Sequence, residues 1–423
     1  MAFEGCRVEA GARRRQRCVC SASSSVWPGT GRRPPVPWCL ALWNCFWFVY
    51  TYSVNFFFEI EFECPLSRAV KAMAQRSKTV EQFFGYNDPR PPEHFVIRRQ
   101  HSRSCGYKAS FETSHRMQKG RASKVVGTVK WPQAYCSITL RLEEGVFDEG
   151  PFVPDDTSPY NATHLKMLKS NLQKAVRRCE TDAATNTAHT IMCLSPVELA
   201  QRLGIIWIED ACLTRDYPVL VWIMAALTKG HEFTDGMARL LLMFSHHIAS
   251  LPYRDVCGYR EKPVLAKRVT ETTLDAEWKS ILYSLLFRRG YQSLAGDKLM
   301  IDRCVADWLD RMSSDPVLVA AAMGDQKYYV VRPCILGRKQ WIEAAIDQHC
   351  SGVCAQTARL CKVSEEEVRT VVWKCSSRLT EKGPASFSRP PPELPTEKER
   401  ELWETIEETV RRGQRQALDR IWS

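Results

Sequence analysis

The chain has 423 residues, 44% of them hydrophobic and 25% charged, which is the composition of a globular protein with room for two or three domains. Its 18 cysteines are scattered along a long chain with no convincing secretory signal ahead of them, so they read as reduced thiols in an intracellular compartment and not as a disulfide framework. The net charge of +11 is gathered at the front: residues 1–72 hold nine Lys/Arg against five Asp/Glu, residues 73–130 hold twelve against four, and the remainder is close to neutral. A basic front on a neutral body suggests contact with a polyanion, its bland counterpart being a solvated tail.

The first 72 residues contain an uncharged run between Arg33 and Glu59, and Trp38 to Phe58 is dense in aromatic side chains. That run is just long enough for a bilayer, which takes roughly 20 residues. Arg13, Arg14, Arg15, Arg32 and Arg33 precede it, as in an anchor with a cytoplasmic N-terminus. Against an anchor, Asn44 and Asn55 interrupt the run, and Leu, Ile and Val are scarce beside Phe, Trp and Tyr. It also lies too deep for a cleaved signal peptide. The other expectation is that residues 1–72 are a non-native extension and that translation starts at Met73.

A chain starting at Met73 opens MAQRSKTVEQFFGYNDPRPP. This resembles the short peptides that dock on the eukaryotic sliding clamp, which have a glutamine, an aliphatic residue three positions on, and two aromatics three positions after that. Val80 takes the aliphatic position, Phe83 and Phe84 the aromatic pair, and Ser77 the glutamine position. One tight helical turn puts the aliphatic and the first aromatic on one face, where they can plug a single apolar pocket. Ser77 departs from the pattern, because a serine lacks the reach and the paired donor and acceptor of an amide. The structural counterpart is a Val-Phe-Phe cluster packed on the following domain.

Residues 73–122 read as a basic flexible arm. Within it Arg98, Arg99, Arg103, Lys108, Arg116 and Lys119 are candidates to meet nucleic-acid phosphates, with Phe95, Tyr107 and Phe111 interleaved to stack on bases. Residues 123–156 alternate and are β-branched at first, predicting one or two strands, and end in an acidic, proline-bearing loop. Residues 157–382 turn helical. Leu165, Leu168, Leu172 and Val176 form one helical stripe, Ser195-Pro196 with Glu198 predicts a capped helix start, and the VLVWIMAAL run after Pro218 predicts a buried helix. Residues 234–250, 273–288, 298–311 and 364–378 follow suit. Residues 383–396 read as a proline-rich linker, and 397–423 as an amphipathic helix with Leu402, Ile406, Val410, Ala417, Leu418 and Ile421 on one face. The predicted fold class is therefore mostly α, a helical domain preceded by a small basic segment with one or two strands.

Two pieces of that helical domain, Leu172 to Ala184 and Gln201 to Asp210, together resemble the collar region of the RarA/MgsA clamp-loader-like AAA+ ATPases. The matching positions are Lys174, Arg177, Asp182, Ala183, Ala184, Arg202, Leu203, Glu209 and Asp210, within some 50–60 residues. The resemblance implies an all-helical disc that holds subunits together, so oligomer contacts with itself or another chain are expected through this domain. It does not carry the ATPase over, since no G-x-x-x-x-G-K-[ST] loop is present to hold phosphates and Mg²⁺. Read from the residues alone, Lys174 and Arg177 lie on one side of a helix and Glu209-Asp210 end the next, which predicts ion pairing across helices in place of catalysis.

For a metal, the weak candidates are His349, Cys350 and Cys354, with Cys361 and Cys375 further on; one C-x₃-C without a second pair reads better as buried thiols. His246-His247 read as core, and no acid/base pair or cofactor site is predicted. The expected function is a nuclear, non-enzymatic DNA replication or repair accessory with the sliding clamp and DNA as partners. The alternatives are an enzyme acting on nucleic acid through an unrecognised helical site, and a helical interaction protein anchored in a membrane by residues 38–58; a mitochondrial location is the alternative to the nucleus.

Overall fold

The computed structural model describes residues 91–423, interrupted at 115–121, 132–135, 258–265, 316–325 in part, 346–350, 377–381 and 386–394 in part, and at positions 156, 292 and 423. Residues 1–90, with the apolar run, Met73 and the clamp-docking positions Ser77, Val80, Phe83 and Phe84, lie outside the described residues. What is described is mostly helical with a small sheet ahead of the helices. None of the described helices is long and apolar enough to cross a membrane.

The sheet has four strands in the order β2-β1-β4-β3: β1 (His94–Arg99), β2 (Tyr107–Glu112), β3 (Ser123–Trp131) and β4 (Cys136–Glu143). Two antiparallel hairpins meet along a parallel seam, with Phe95 opposite Phe111 in β2 and Leu140 in β4, and Val129 opposite Ile138. Alternation decides the faces. Phe95, Ile97, Ala109, Phe111, Val129, Trp131, Ile138 and Leu140 are all buried on one side. The two strands nearest the N-terminus lie inside the stretch expected to be an arm. Their basic residues mask an alternation in which every second side chain is apolar, so Phe95 and Phe111 are core, stacked 4.0 Å apart, and unavailable to bases.

The helices begin with α1 (Leu165–Arg177), α2 (Thr181–Leu194), α3 (Pro196–Asp210), α4 (Tyr217–Thr228) and α5 (Asp235–Ser250). The Ser195 hydroxyl accepts from Glu198 N with Pro196 in the first turn, the predicted cap of α3. Every side chain of α4 from Tyr217 to Leu227 is buried, as an all-apolar run requires, and the Trp222 indole donates to the Phe95 carbonyl at 3.0 Å, tying α4 to the sheet. A short strand β5 (Tyr253–Arg254) precedes α6 (Ala266–Thr270), α7 (Ala276–Gly290) and α8 (Ala295–Ser314). Asp275 caps α7 by accepting from both Glu277 N and Trp278 N at 2.9 Å. The sheet's apolar face and α1–α8 share one continuous core.

A second, smaller core follows. α9 (Ser351–Cys361), α10 (Glu365–Val371, continued by a wider π-type turn over Val372–Ser376) and α11 (Glu397–Trp422) enclose Cys354, Ala358, Val368, Val371, Val372, Ile406 and Val410. On α11, Ile406, Val410 and Leu418 are buried as the amphipathic pattern requires, and Leu418 already belongs to the main core. The segment leading to α11 differs from a free linker at its start. Gly383 N donates to Pro252 O at 3.1 Å and Ala385 N to Arg254 O at 2.9 Å, so β6 (Gly383–Pro384) lies parallel to β5. Proline supplies no N–H, but the residues on either side do, and that suffices for a two-residue pairing.

Candidate nucleic-acid interface

The face of the sheet turned away from the helices is polar. Arg98 on β1 stands between two neighbouring strands, with its guanidinium bonded to both Glu112 oxygens on β2 and 3.6 Å from Glu143 on β4. Beside it Arg141 donates to His94 Nδ1 and to the Ser123 hydroxyl, each at 3.3 Å. Burial and the Arg141 charge hold the His94 imidazole below its ordinary pKa, so it accepts that bond as a neutral ring. Arg99 is exposed and reaches Asp148 at 3.2 Å; Arg103 is pinned to Glu277, which also lies 3.4 Å from Arg215. All three of the described candidate arginines therefore already face a carboxylate.

Lysines are disposed differently. Lys108 on β2 and Lys130 on the outer edge strand β3 share the polar face, and Lys124 near the start of β3 stands close to His231, whose pKa burial and this lysine both lower. None of the three forms an ion pair among the described residues. Only Lys108 is evident from the basic composition of the presumed arm. Lys130 becomes visible through the alternation of SKVVGTVKW, which sends Val129 and Trp131 inward and leaves that lysine outside, whereas a register shift between Val125 and Gly127 puts the exposed Lys124 opposite Leu142, at the rim of the helix side. Arg116 and Lys119 lie outside the described residues. Tyr107, half-buried, stacks on Phe147 with ring centres 4.8 Å apart.

The collar-like positions form a separate, interior site. Arg177 at the end of α1 donates from Nε to Asp210 Oδ1 at 2.6 Å, and from its other nitrogen to Asp210 Oδ2 at 3.2 Å and Glu209 Oε1 at 3.0 Å. Gln173, one turn back, donates to Asp210 Oδ2 at 2.9 Å and accepts from Arg202. Arg177 and Asp210 are 3% and 0% exposed, which makes this a charge-assisted clamp between α1 and α3 and not a surface pair. Lys174 does not join it; its amine donates to the Ala344 carbonyl. Asp182 stands exposed in the first turn of α2, where the helix dipole favours a carboxylate. Just before β6, Lys382, 2% exposed, donates to Ile248 O near the end of α5 at 2.6 Å, and burial lowers its pKa to about 8.

No protein family matches the chain, and no curated protein or solved structure is significantly similar to it. Among the metal candidates, Cys354 is wholly buried in the small core, while His349 and Cys350 lie outside the described residues. No group of three metal-ligating side chains is assembled among the described residues. His247 is core as expected, edge-on to the Tyr328 ring at 4.9 Å, and burial lowers its pKa to about 4.

Proposed function

We propose that the protein is a non-enzymatic DNA replication or repair accessory that docks on a sliding clamp through Val80, Phe83 and Phe84 and on DNA through the basic sheet. The observation that carries the DNA contact is the set of lysines Lys108, Lys124 and Lys130 on and beside the polar face, unpaired among the described residues while the nearby arginines are held by carboxylates. Arg98 and Arg103 in this arrangement stiffen the sheet and its junction with α7, and the lysines are left to meet phosphates. The helical body then acts as the interaction domain, its α1–α3 clamp giving it the rigidity a scaffold needs.

The DNA contact is tested by salt dependence. Each phosphate neutralised contributes a slope of about −0.9 in log K against log salt. Replacing Lys108, Lys124 and Lys130 together by alanine is expected to flatten that slope by two to three phosphate equivalents, about 2 to 3. An unchanged slope removes the sheet from the interface and leaves the lysines as guards against edge-to-edge pairing of the two edge strands, β2 and β3. The clamp contact is tested by pull-down with the Phe83→Ala/Phe84→Ala variant, for which full retention of binding ends the docking claim.

A further inference from the structure

A pair of thiols lies outside both the basic sheet and the collar-like clamp. The segment that begins with β5 runs on through Asp255, Val256 and Cys257, and it is the dock for β6. Asp255 N donates to Ala211 O at 3.1 Å, just past α3, and Val256 N donates to the Ser388 hydroxyl at 3.1 Å. That hydroxyl donates in turn to Asp255 Oδ1 at 2.8 Å, while Arg311 on α8 donates to Asp255 Oδ2 at 2.7 Å. One carboxylate thus holds α8 and the β6 segment together, and its side chain is 3% exposed.

Register brings the thiols to the same junction. Asp255 and Cys257, two residues apart, turn their side chains to the same side, with Cys257 Sγ 3.6 Å from Asp255 Oδ2. On α8, Cys304 and Arg311 are seven residues apart and so share one helix face. The Asp255–Arg311 ion pair thus fixes the register in which Cys257 meets Cys304, and the two thiols hydrogen-bond to each other. Both are free thiols. They differ in access: Cys304 is 2% exposed inside the main core, whereas Cys257 is half-buried at its edge.

We propose that Cys257 and Cys304 are an oxidation site, forming a reversible disulfide that locks the β5–β6 dock to α8, independently of the DNA reading above. The oxidant is hydrogen peroxide. The more accessible Cys257 sulfur attacks one peroxide oxygen: an S–O bond forms, the O–O bond breaks, and the thiol proton leaves with the departing oxygen as water. The Cys304 sulfur then attacks the sulfenic sulfur, so that the S–S bond forms and the hydroxyl leaves with the second thiol proton as water. Two thiols lose two electrons and two protons in all, and one peroxide becomes two waters. A dithiol reverses the bond by exchange. The hydrogen bond to Cys304 and burial hold Cys257 as the thiol, well above the ordinary thiol pKa, so the attack is slow at neutral pH and quickens as pH rises.

The test is peptide mapping of the full chain after treatment with hydrogen peroxide at about pH 8.5, the ordinary pKa of a thiol, with the remaining thiols then alkylated and no reductant present. The expected product is a peptide pair joining Cys257 to Cys304, about 2 Da lighter than the sum of its parts and separated by dithiothreitol. The bond closes a loop that holds α6 and α7 and restricts the unfolded chain. The oxidised wild type should therefore melt about 5 °C or more above the reduced chain, and peroxide should bring no such rise in Cys257→Ser. Full alkylation of both Cys257 and Cys304 after peroxide overturns the proposal. So does a bond from either of them to Cys212, a third thiol buried close to Asp255 and Cys304. A bond that forms only when the chain is unfolded in urea before oxidation, or equal melting temperatures of the oxidised and reduced chains, overturns it as well.

Discussion

In the main body, helix-borne charge is turned inward and consumed. Arg177 is 3% exposed and holds Asp210, which is 0% exposed, while Gln173 fills the remaining lone pair of the same carboxylate. In the C-terminal unit, α9 and α10 send Arg359, Glu365, Glu366 and Arg369 outward and bury only small chains such as Ala358 and Val368. Size explains the contrast. A large core surrounds a guanidinium with enough aligned acceptors to offset its desolvation, whereas a three-helix core has too few layers and leaves its charges at the rim. Charged residues in the body therefore report on rigidity, whereas those named on α9 and α10 lie at the surface, with Arg369 bonded to Glu365.

The comparison is broken most forcefully at Arg177. Arg177→Ala leaves Asp210 buried and unpaired and is expected to cost about 3–5 kcal/mol by chemical denaturation. A loss below about 1 kcal/mol, the value of a surface pair, would show that the clamp is not a buried one. Next in size is His247. Its folded pKa of about 4 lies below the ordinary 6.5 of histidine, so the unfolded chain binds more protons between those values. The stability due to its burial as a neutral ring is complete above pH 6.5 and is lost as pH falls through about 4, up to about 3 kcal/mol. Urea midpoints from pH 7 to pH 4 should fall more steeply for the wild type than for His247→Phe, and parallel curves would contradict the burial.

Ile406→Ala should cost about 2 kcal/mol, at the low end for a buried aliphatic because a small core can close over the gap. Hydrogen exchange sharpens the comparison: amides of α9 and α10 should lose protection while those of α4 keep theirs. If α4 loosens equally, the two cores are one cooperative unit. The smallest effect expected is at the α7 cap, where Asp275→Ala removes two bonds to backbone N–H groups and should cost about 1 kcal/mol.

Period and caps made much of this fold legible in advance. The stripe of Leu168, Leu172 and Val176 is buried along α1, the Ser195-Pro196 start is the cap of α3, and the apolar run after Pro218 is the buried α4. The sheet was half legible. Basic residues on the outward positions of β1 and β2 hid Phe95, Ile97 and Phe111 on the inward ones, and composition alone reads such a stretch as an arm. In the site, Arg177 with Glu209 and Asp210 followed from spacing, but Lys174 did not, because its acceptor is a carbonyl 170 residues away in sequence. No local pattern encodes a contact of that range. α10 falls within the helix expected over 364–378, but its tight turn from α9 was not read, because that turn carries a lysine where glycine would have advertised the left-handed conformation.

By itself the amino-acid sequence determined where most of the helices lie, the start of several, and the apolar stripe of those with a clear period, since period, capping and propensity act within a few residues. Tertiary structure decided which charges are spent inside and which remain for a partner. Arg98 and Lys108, alike in sequence and paired across β1 and β2, differ because carboxylates of two adjacent strands close on the arginine and, among the described residues, none on the lysine. Ion pairing is set by distances across elements, and those exist only once the chain has folded.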